Sequence, residues 1–211
     1  GIALDGDADR VVFSDENGNL IDCDQILGVL ALNLYNQKEL KNNTVVGTIM
    51  TNIGFENFLN DNNINLKRVN VGDRYILDEM LNNNYNLGGE PSGHVIMSDH
   101  TKSGDGLLTA IKIISLLKKS GKKASEFLRP FSITPYKIKN LKKINNYILE
   151  TESVKNSLKK IQLDLKKKHN GRLLVRPSGT EPIVRILVEC EYHDKIDEYI
   201  SKVQDLSLIH I

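Results

Sequence analysis

Long apolar runs, surplus charge and cysteine are what this 211-residue chain has least of. No uninterrupted apolar stretch approaches the roughly 20 residues that a membrane-crossing helix requires, so a membrane partner is not expected. Twenty-eight basic side chains against 27 acidic ones leave a net charge of +1. No global field therefore draws the protein to nucleic acid or to an anionic membrane, and any anion it binds must be held by local geometry. Two cysteines, Cys23 and Cys190, lie far apart and match neither a disulfide framework nor a metal knuckle, which points to a reducing, cytoplasmic setting. Internal repeats and targeting segments are also missing. Hydrophobic residues at 40% and charged residues at 26% exclude a collagen-like or wholly disordered chain.

What is present is an alternation. Ile26, Leu27, Leu30 and Leu34 recur at helical spacing, as do Phe55, Phe58 and Leu59, then Ile76, Leu77 and Met80. Between them lie β-branched segments over 44–49 and 66–71, and this βα succession is that of a layered α/β domain. Asp105 or Ser103 is placed to cap a helix over 107–119, and Gly121 to end it. Beyond Arg129 the character changes. A strand over 133–138, a Lys-rich amphipathic helix over 154–168, strands over 173–175 and 183–188 and a last helix over 196–203 make a small α+β block. A domain boundary is therefore expected near Arg129. The lysines at 166–168 read as the solvated end of a helix, where cations also suit the negative dipole terminus. The chain opens at Gly1 inside an apolar, strand-like run, so an upstream part is expected. Residues 206–211 match the in-frame translation of a common sequencing-library adaptor and are expected to be non-native.

Three loops carry chemistry. The first, Asp5-Gly6-Asp7-Ala8-Asp9-Arg10, sits between strand-like runs at 2–4 and 11–13. Three carboxylates in a tight turn repel one another unless something positive sits among them. Hard oxygen donors with no Cys or His nearby in the sequence favour Mg²⁺ or Ca²⁺ over zinc. An EF-hand reading places Glu16 at position twelve, but fails at position six, where Arg10 replaces the required glycine, and in its flanking strands. A haloacid-dehalogenase-type nucleophile is a second option, since Asp5 and Asp7 form D-x-D after a strand, and a solvated acidic turn is a third. The second loop, Gly88-Gly89-Glu90-Pro91-Ser92-Gly93-His94, offers a carboxylate and a hydroxyl suited to sugar hydroxyls and an imidazole able to trade protons. Alone, it is equally readable as a structural turn. The third, Arg176-Pro177-Ser178-Gly179-Thr180-Glu181-Pro182, combines a bidentate guanidinium, two hydroxyls and a glycine that opens backbone N–H groups to an oxyanion. It can also be an ordinary turn, with Arg185 on the exposed face of the following strand.

In order and spacing the three loops resemble one family, the α-D-phosphohexomutases. Its members carry a D-G-D-x-D-R metal loop, a G-E-x-S-G-H sugar loop and an R-x-S-x-T-x-P phosphate loop in the second, third and fourth of four domains. The resemblance runs from Gly1 to about Asp205. It implies a mixed-sheet α/β domain followed by a small α+β, TATA-binding-protein-like domain. Residues 1–20 would close the family's second domain, 21–129 would be the third and 130–205 the fourth; the first domain, with its phosphoserine, would lie outside this chain. Gly179, Glu181 and the segment Val71-Gly72-Asp73-Arg74-Tyr75 resemble the branch acting on glucosamine phosphates, whereas Pro91 departs from the Gln or Asn common there and removes a backbone donor.

The resemblance implies interconversion of glucosamine 6-phosphate and glucosamine 1-phosphate through a phosphoserine and a 1,6-bisphosphate. Asp5, Asp7 and Asp9 would hold Mg²⁺, with Arg10 and His94 serving catalysis. Asp73, Arg74, Glu90 and Ser92 would contact the sugar, and Arg176, Ser178, Gly179 and Thr180 the non-reacting phosphate. A homodimer through regions partly outside this chain is also implied. Two further readings stay open: a mutase for mannose or glucose phosphates, and a non-catalytic sugar-phosphate-binding fragment.

Overall fold

The apolar run at the start of the chain pairs with the one that follows it. Strands β1 (Ile2–Leu4) and β2 (Val11–Ser14) form an antiparallel hairpin whose loop is the acidic hexapeptide, and β3 (Leu20–Ile21) pairs on the other side of β2. Val11 and Phe13 face the core while Val12 between them is exposed, the two-residue period of a half-buried strand. These features come from a computed structural model, which describes residues 1–142, 149–178 and 183–208 and divides into two compact units, 1–133 and 134–211.

The first unit is built on helices whose starts are written in the sequence. Asp22, Asn52 and Asp105 cap α1 (Cys23–Asn36), α2 (Ile53–Asp61) and α4 (Gly106–Ser120), each accepting from a first-turn backbone N–H. Gly121, at φ 66°, ends α4 as expected. Helix α3 (Asp73–Asn83) closes with Asn84 in the left-handed conformation. The helices flank a mixed sheet in the order β5-β4-β6-β7, in which β4 (Thr44–Thr48) runs parallel to β5 (Asn65–Val69) and β6 (Leu87–Gly89), and β7 (Val95–Met97) runs antiparallel to β6. Leu27, Val45, Phe55, Leu59 and Leu87 are fully buried in one core that also takes in Val11 and Phe13, so the first hairpin is packed onto this unit.

The unit ends at residue 133, four residues beyond the expected boundary. Phe131 stacks on Phe55 and Phe58 at centroid distances of 5.6 and 5.0 Å, and Arg129 pairs with buried Asp15 at 2.7 Å. A short helix, α5 (Ala124–Phe127), which the periodicity did not reveal, leads into these contacts.

In the second unit an antiparallel sheet ordered β8-β10-β9 comprises β8 (Tyr136–Lys142), β9 (Arg172–Pro177) and β10 (Ile183–Glu189). Helices α6 (Glu152–His169) and α7 (His193–Leu208) pack on it, with Leu165, Ile196, Tyr199, Ile200 and Val203 buried against Ile186 and Val188. The α+β reading holds, with one shift: the strand expected over 133–138 lies at 136–142. Pro135 cannot donate to a ladder, so pairing begins after it, and the lysines that follow suit an edge strand. Lys166, Lys167 and Lys168 do fall in the last turn of α6. The expected non-native tail begins inside α7, and its last three residues lie outside those described. No helix among the described residues is long and apolar enough to cross a membrane.

Leu27→Ala would remove a fully buried side chain and is expected to cost about 2–5 kcal/mol, read from denaturant unfolding. Asp15 gives an acid-dependent term. Desolvation alone would raise its carboxyl, but the Arg129 guanidinium and the amides of Asn19 and Asn17 outweigh it and hold the group at about 2. A depressed folded-state value stabilises the fold above the ordinary carboxylate value of 3.8 and is lost as the pH falls through about 2. Arg129→Ala should therefore lower Tm more at neutral pH than near pH 2. Equal losses at both would contradict the assignment.

Candidate active site

The hexapeptide at 5–10 turns tightly because Ala8 is left-handed, at φ 59°, with its N–H donating to Asp5 O at 3.3 Å. That conformation costs an L-residue about 1–2 kcal/mol. It gathers Asp5, Asp7 and Asp9 so that each offers an oxygen within 4.8 Å of the others. Gly106 N donates to Ala8 O at 2.9 Å, tying the loop to the start of α4. The crowding is electrostatically visible: desolvation, the hydrogen-bonded Asp5 and the charge of Asp7 push the Asp9 carboxyl up. Asp5 is lowered instead, because the Arg10 N–H, Asp9 and the Arg10 charge together exceed its own desolvation. Arg10 Nε lies 3.6 Å from an oxygen of both Asp5 and Asp9. Three hard donors and a buried Asp9 Oδ1 without a hydrogen-bond partner fit a divalent cation of the Mg²⁺ or Ca²⁺ type. The antiparallel strands on either side of the loop disagree with an EF-hand, whose loop joins two helices.

Strand β2 carries this hairpin to the second loop. Arg10 and His94 form an antiparallel bridge, and Val11 N donates to Gly93 O at 3.1 Å. Glycine is required at 93: φ is +98°, and a Cβ would lie 2.6 Å from Val11 O. His94 is 5% exposed; its Nδ1–H donates to Asp9 Oδ2 at 3.1 Å, and its buried Nε2 has no hydrogen-bond partner among the described residues. The ring lies against Gly104, where any Cβ would fall on it. The structure thus brings Asp5, Asp7, Asp9, Arg10 and His94 together.

Glu90 joins a third segment to the pair. Its Oε1 accepts from Gly72 N at 2.8 Å and its Oε2 from Ser92 Oγ at 3.2 Å. The 71–75 segment is therefore fastened to the sugar loop through a backbone amide, while Pro91 and Ser92 stay exposed. Asp73 opens α3 and accepts from Arg74 N at 2.8 Å. The Arg74 side chain is 87% exposed and lies 3.7 Å from Asp78, drawn to its own helix rather than to Glu90.

In the second unit, Arg176 is the penultimate residue of β9 and sits directly across the ladder from Arg185. Like charges opposite one another are destabilising, and burial together with the Arg185 charge lowers the Arg176 guanidinium from its usual value. Among the described residues Arg176 Nε is buried without a hydrogen-bond partner, a donor arrangement suited to an anion. Ser178 N donates to Ile183 O at 2.8 Å, closing the base of the turn. Gly179 and Thr180 lie outside the described residues.

Three contributors escaped the sequence reading. Arg185, expected on an exposed face, is half-buried and opposes Arg176, which only the hairpin register reveals. Gly72 acts through its amide, which carries no side-chain signal. Gly104 makes room for the His94 ring; two glycines flanking the cap Asp105 were the available hint of close packing. Gly104→Ala should push the ring off Asp9 and weaken magnesium binding about 10- to 100-fold, the usual effect of losing an outer hydrogen bond to a ligand. Calorimetric titration with Mg²⁺ checks it, and unchanged affinity would separate His94 from the acidic loop.

Comparison with known proteins matches this architecture. The family model for phosphoglucomutase/phosphomannomutase, alpha/beta/alpha domain III, matches residues 22–132, and that for the C-terminal domain matches residues 136–206. A phosphoglucosamine mutase from Thermoanaerobacter sp. (strain X514) is 44% identical over 209 residues, covering 98% of this chain and 46% of its own length. The chain thus spans about half the length of the curated relatives it matches. Among solved structures, Aspergillus fumigatus N-acetylphosphoglucosamine mutase superposes with a TM-score of 0.83 at 19% identity, over 98% of this chain and 48% of that one. The same enzyme in complex with GlcNAc-6P and magnesium gives 0.79 at 20% identity, over 97% and 51%. With two of the family's domain models matched across most of its length, the chain belongs to the phosphoglucomutase/phosphomannomutase family of α-D-phosphohexomutases.

Proposed function

We propose that the whole protein is a phosphoglucosamine mutase, interconverting glucosamine 6-phosphate and glucosamine 1-phosphate through a phosphoserine and a 1,6-bisphosphate. The observation that carries the reading is the backbone join between the acidic hairpin and the sugar loop, in a chain 44% identical to a phosphoglucosamine mutase. Residues 1–20 close the preceding domain, and the phosphoserine belongs to a part of the relatives that this chain does not span. The work takes place in the cytoplasm, and a homodimer through regions partly outside the chain belongs to the same reading.

Asp5, Asp7 and Asp9 hold Mg²⁺, the ion named with one structural neighbour. When bound, it neutralises charge as the phosphoryl group passes between oxygens. Arg10, half-exposed beside the trio, adds a second positive group facing the same phosphoryl oxygens. His94 is nearly sealed from solvent and already donates to Asp9, so its part is to orient that ligand rather than to trade protons with the sugar. Glu90 and Ser92 hold sugar hydroxyls, and Gly72 keeps the Glu90 carboxylate aimed while it does so. Asp73 and Arg74 contact substrate only if it draws Arg74 away from Asp78. Arg176, Ser178 and the adjoining Gly179 and Thr180 take phosphate oxygens, with Arg185 as a further cation. Binding an anion there relieves the opposed guanidiniums and fixes the ester by bidentate contact.

In the full-length protein, Asp7→Asn is expected to lower kcat by at least about a thousandfold, the scale of removing a metal's charge stabilisation, while leaving affinity for glucosamine 6-phosphate within a few-fold. Arg176→Ala should weaken that affinity by about tenfold or more and leave binding of unphosphorylated glucosamine unchanged. Turnover of mannose or glucose 6-phosphate equal to that of glucosamine 6-phosphate would overturn the substrate assignment. The chain alone is expected to bind sugar phosphate without turning it over.

A further inference from the structure

Two helix faces that the mutase reading leaves unused meet across a cavity of about 730 Å³. Along α1 and its C-cap Gln37, residues Leu30, Asn33, Leu34 and Gln37 stand at i, i+3, i+4 and i+7, the spacing of a single face. On α4, Lys112, Ser115, Leu116 and Lys119 repeat the same spacing toward the same space. Met97 of β7 is buried against it. The cavity exceeds the clefts beside the 71–75 segment, about 400 Å³, and beside Pro91, about 290 Å³. Its size falls within the usual range for small-molecule sites. Asp99 and His100, which also line it, follow β7, and β7 runs antiparallel to β6; the cavity therefore lies at the opposite end of the sheet from the sugar loop.

Its charge is selective. Asp99 is taken by Lys41 and by Asn86 Nδ2, the latter at 2.6 Å. Lys38, Lys112 and Lys119 have no carboxylate partner among the described residues, and Glu39 is the only other acid in the lining. Lys119 answers the negative end of α4, but Lys112 lies two turns earlier, beyond the reach of that effect, and is half-buried. Lys38 is left-handed, at φ 61°, a conformation that the other described non-glycine residues adopt only as Asn or, in the acidic loop, as Ala. A cation is kept there in spite of about 1–2 kcal/mol of backbone cost.

We propose that this cavity is a second ligand site, for a nucleoside diphosphate. The diphosphate sits among Lys38, Lys112 and Lys119, and the base lies on Leu34, Leu116 and Met97, whose thioether favours aromatic contact. The Asn33 and Gln37 amides and the Ser115 hydroxyl supply donors and acceptors for the base edge. A polyanion alone would not use the apolar floor, and an apolar ligand alone would leave three ammonium groups unanswered.

The proposal is independent of the mutase reading and is tested on the full chain with ADP in EDTA, followed by amide chemical shifts. Saturable shifts are expected along 33–38, 97–100 and 112–119, with ADP binding about tenfold or more tighter than pyrophosphate or adenosine. Lys112→Glu should weaken ADP by about tenfold, and Ser115→Trp, which fills the cavity, should do so without changing charge. Arg176→Ala should leave ADP affinity unchanged. Shifts confined to 172–178, no saturation by about 10 mM, or full affinity in both cavity variants would overturn it.

Discussion

Arg10 and His94 are 84 residues apart in the chain, yet one backbone bridge and the Val11 N–H to Gly93 O bond hold them side by side. Much of the first unit's site leans on that join. It lets His94 reach Asp9, and it makes glycine necessary at 93, where the Val11 main chain occupies the space a Cβ would need, as the imidazole does at 104. The helices and the mixed sheet serve the join indirectly: Asp105 caps α4 where Gly106 N grips the acidic hairpin, and Phe13 and Val11 root that hairpin in the core.

Both candidate sites hold like charges together. Three carboxylates crowd one turn, and two guanidiniums face one another across a β-ladder. Such arrangements are costly in the free protein and are relieved by a ligand of opposite sign, so each ligand is also a stabiliser of the fold. Function and stability pull against one another at these positions, whereas Asp15 with Arg129 and Glu189 with Arg172 pair opposite charges and ask for no ligand.

Much of this was legible in the chain. Both ends of α4 were readable because Asp105 and Gly121 are caps with a physical role, and the acidic loop because its three carboxylates have no self-sufficient arrangement. What stayed hidden depended on pairing across distance. The Arg176–Arg185 opposition requires the register of β9 on β10; the Gly72 amide has no side chain to announce it; the first unit's extension to Phe131 requires knowing that Phe55 and Phe58 await a third ring. The start of β8 stayed hidden because Pro135 lacks the N–H that a ladder needs, which the apolar residues beside it do not announce. His94 illustrates the limit most sharply: its residue type suggests proton transfer, and only its burial and its bond to Asp9 turn it toward orienting a ligand.

The central claim is that the acidic hairpin and the sugar loop act as one cation-responsive unit. Titration of Mg²⁺ into the isotopically labelled chain, with amide and imidazole resonances followed together, addresses it directly. The account predicts that residues 5–10, Gly93 and the His94 ring shift along a single saturable isotherm. Shifts confined to the aspartates, with His94 unmoved at saturation, would contradict it.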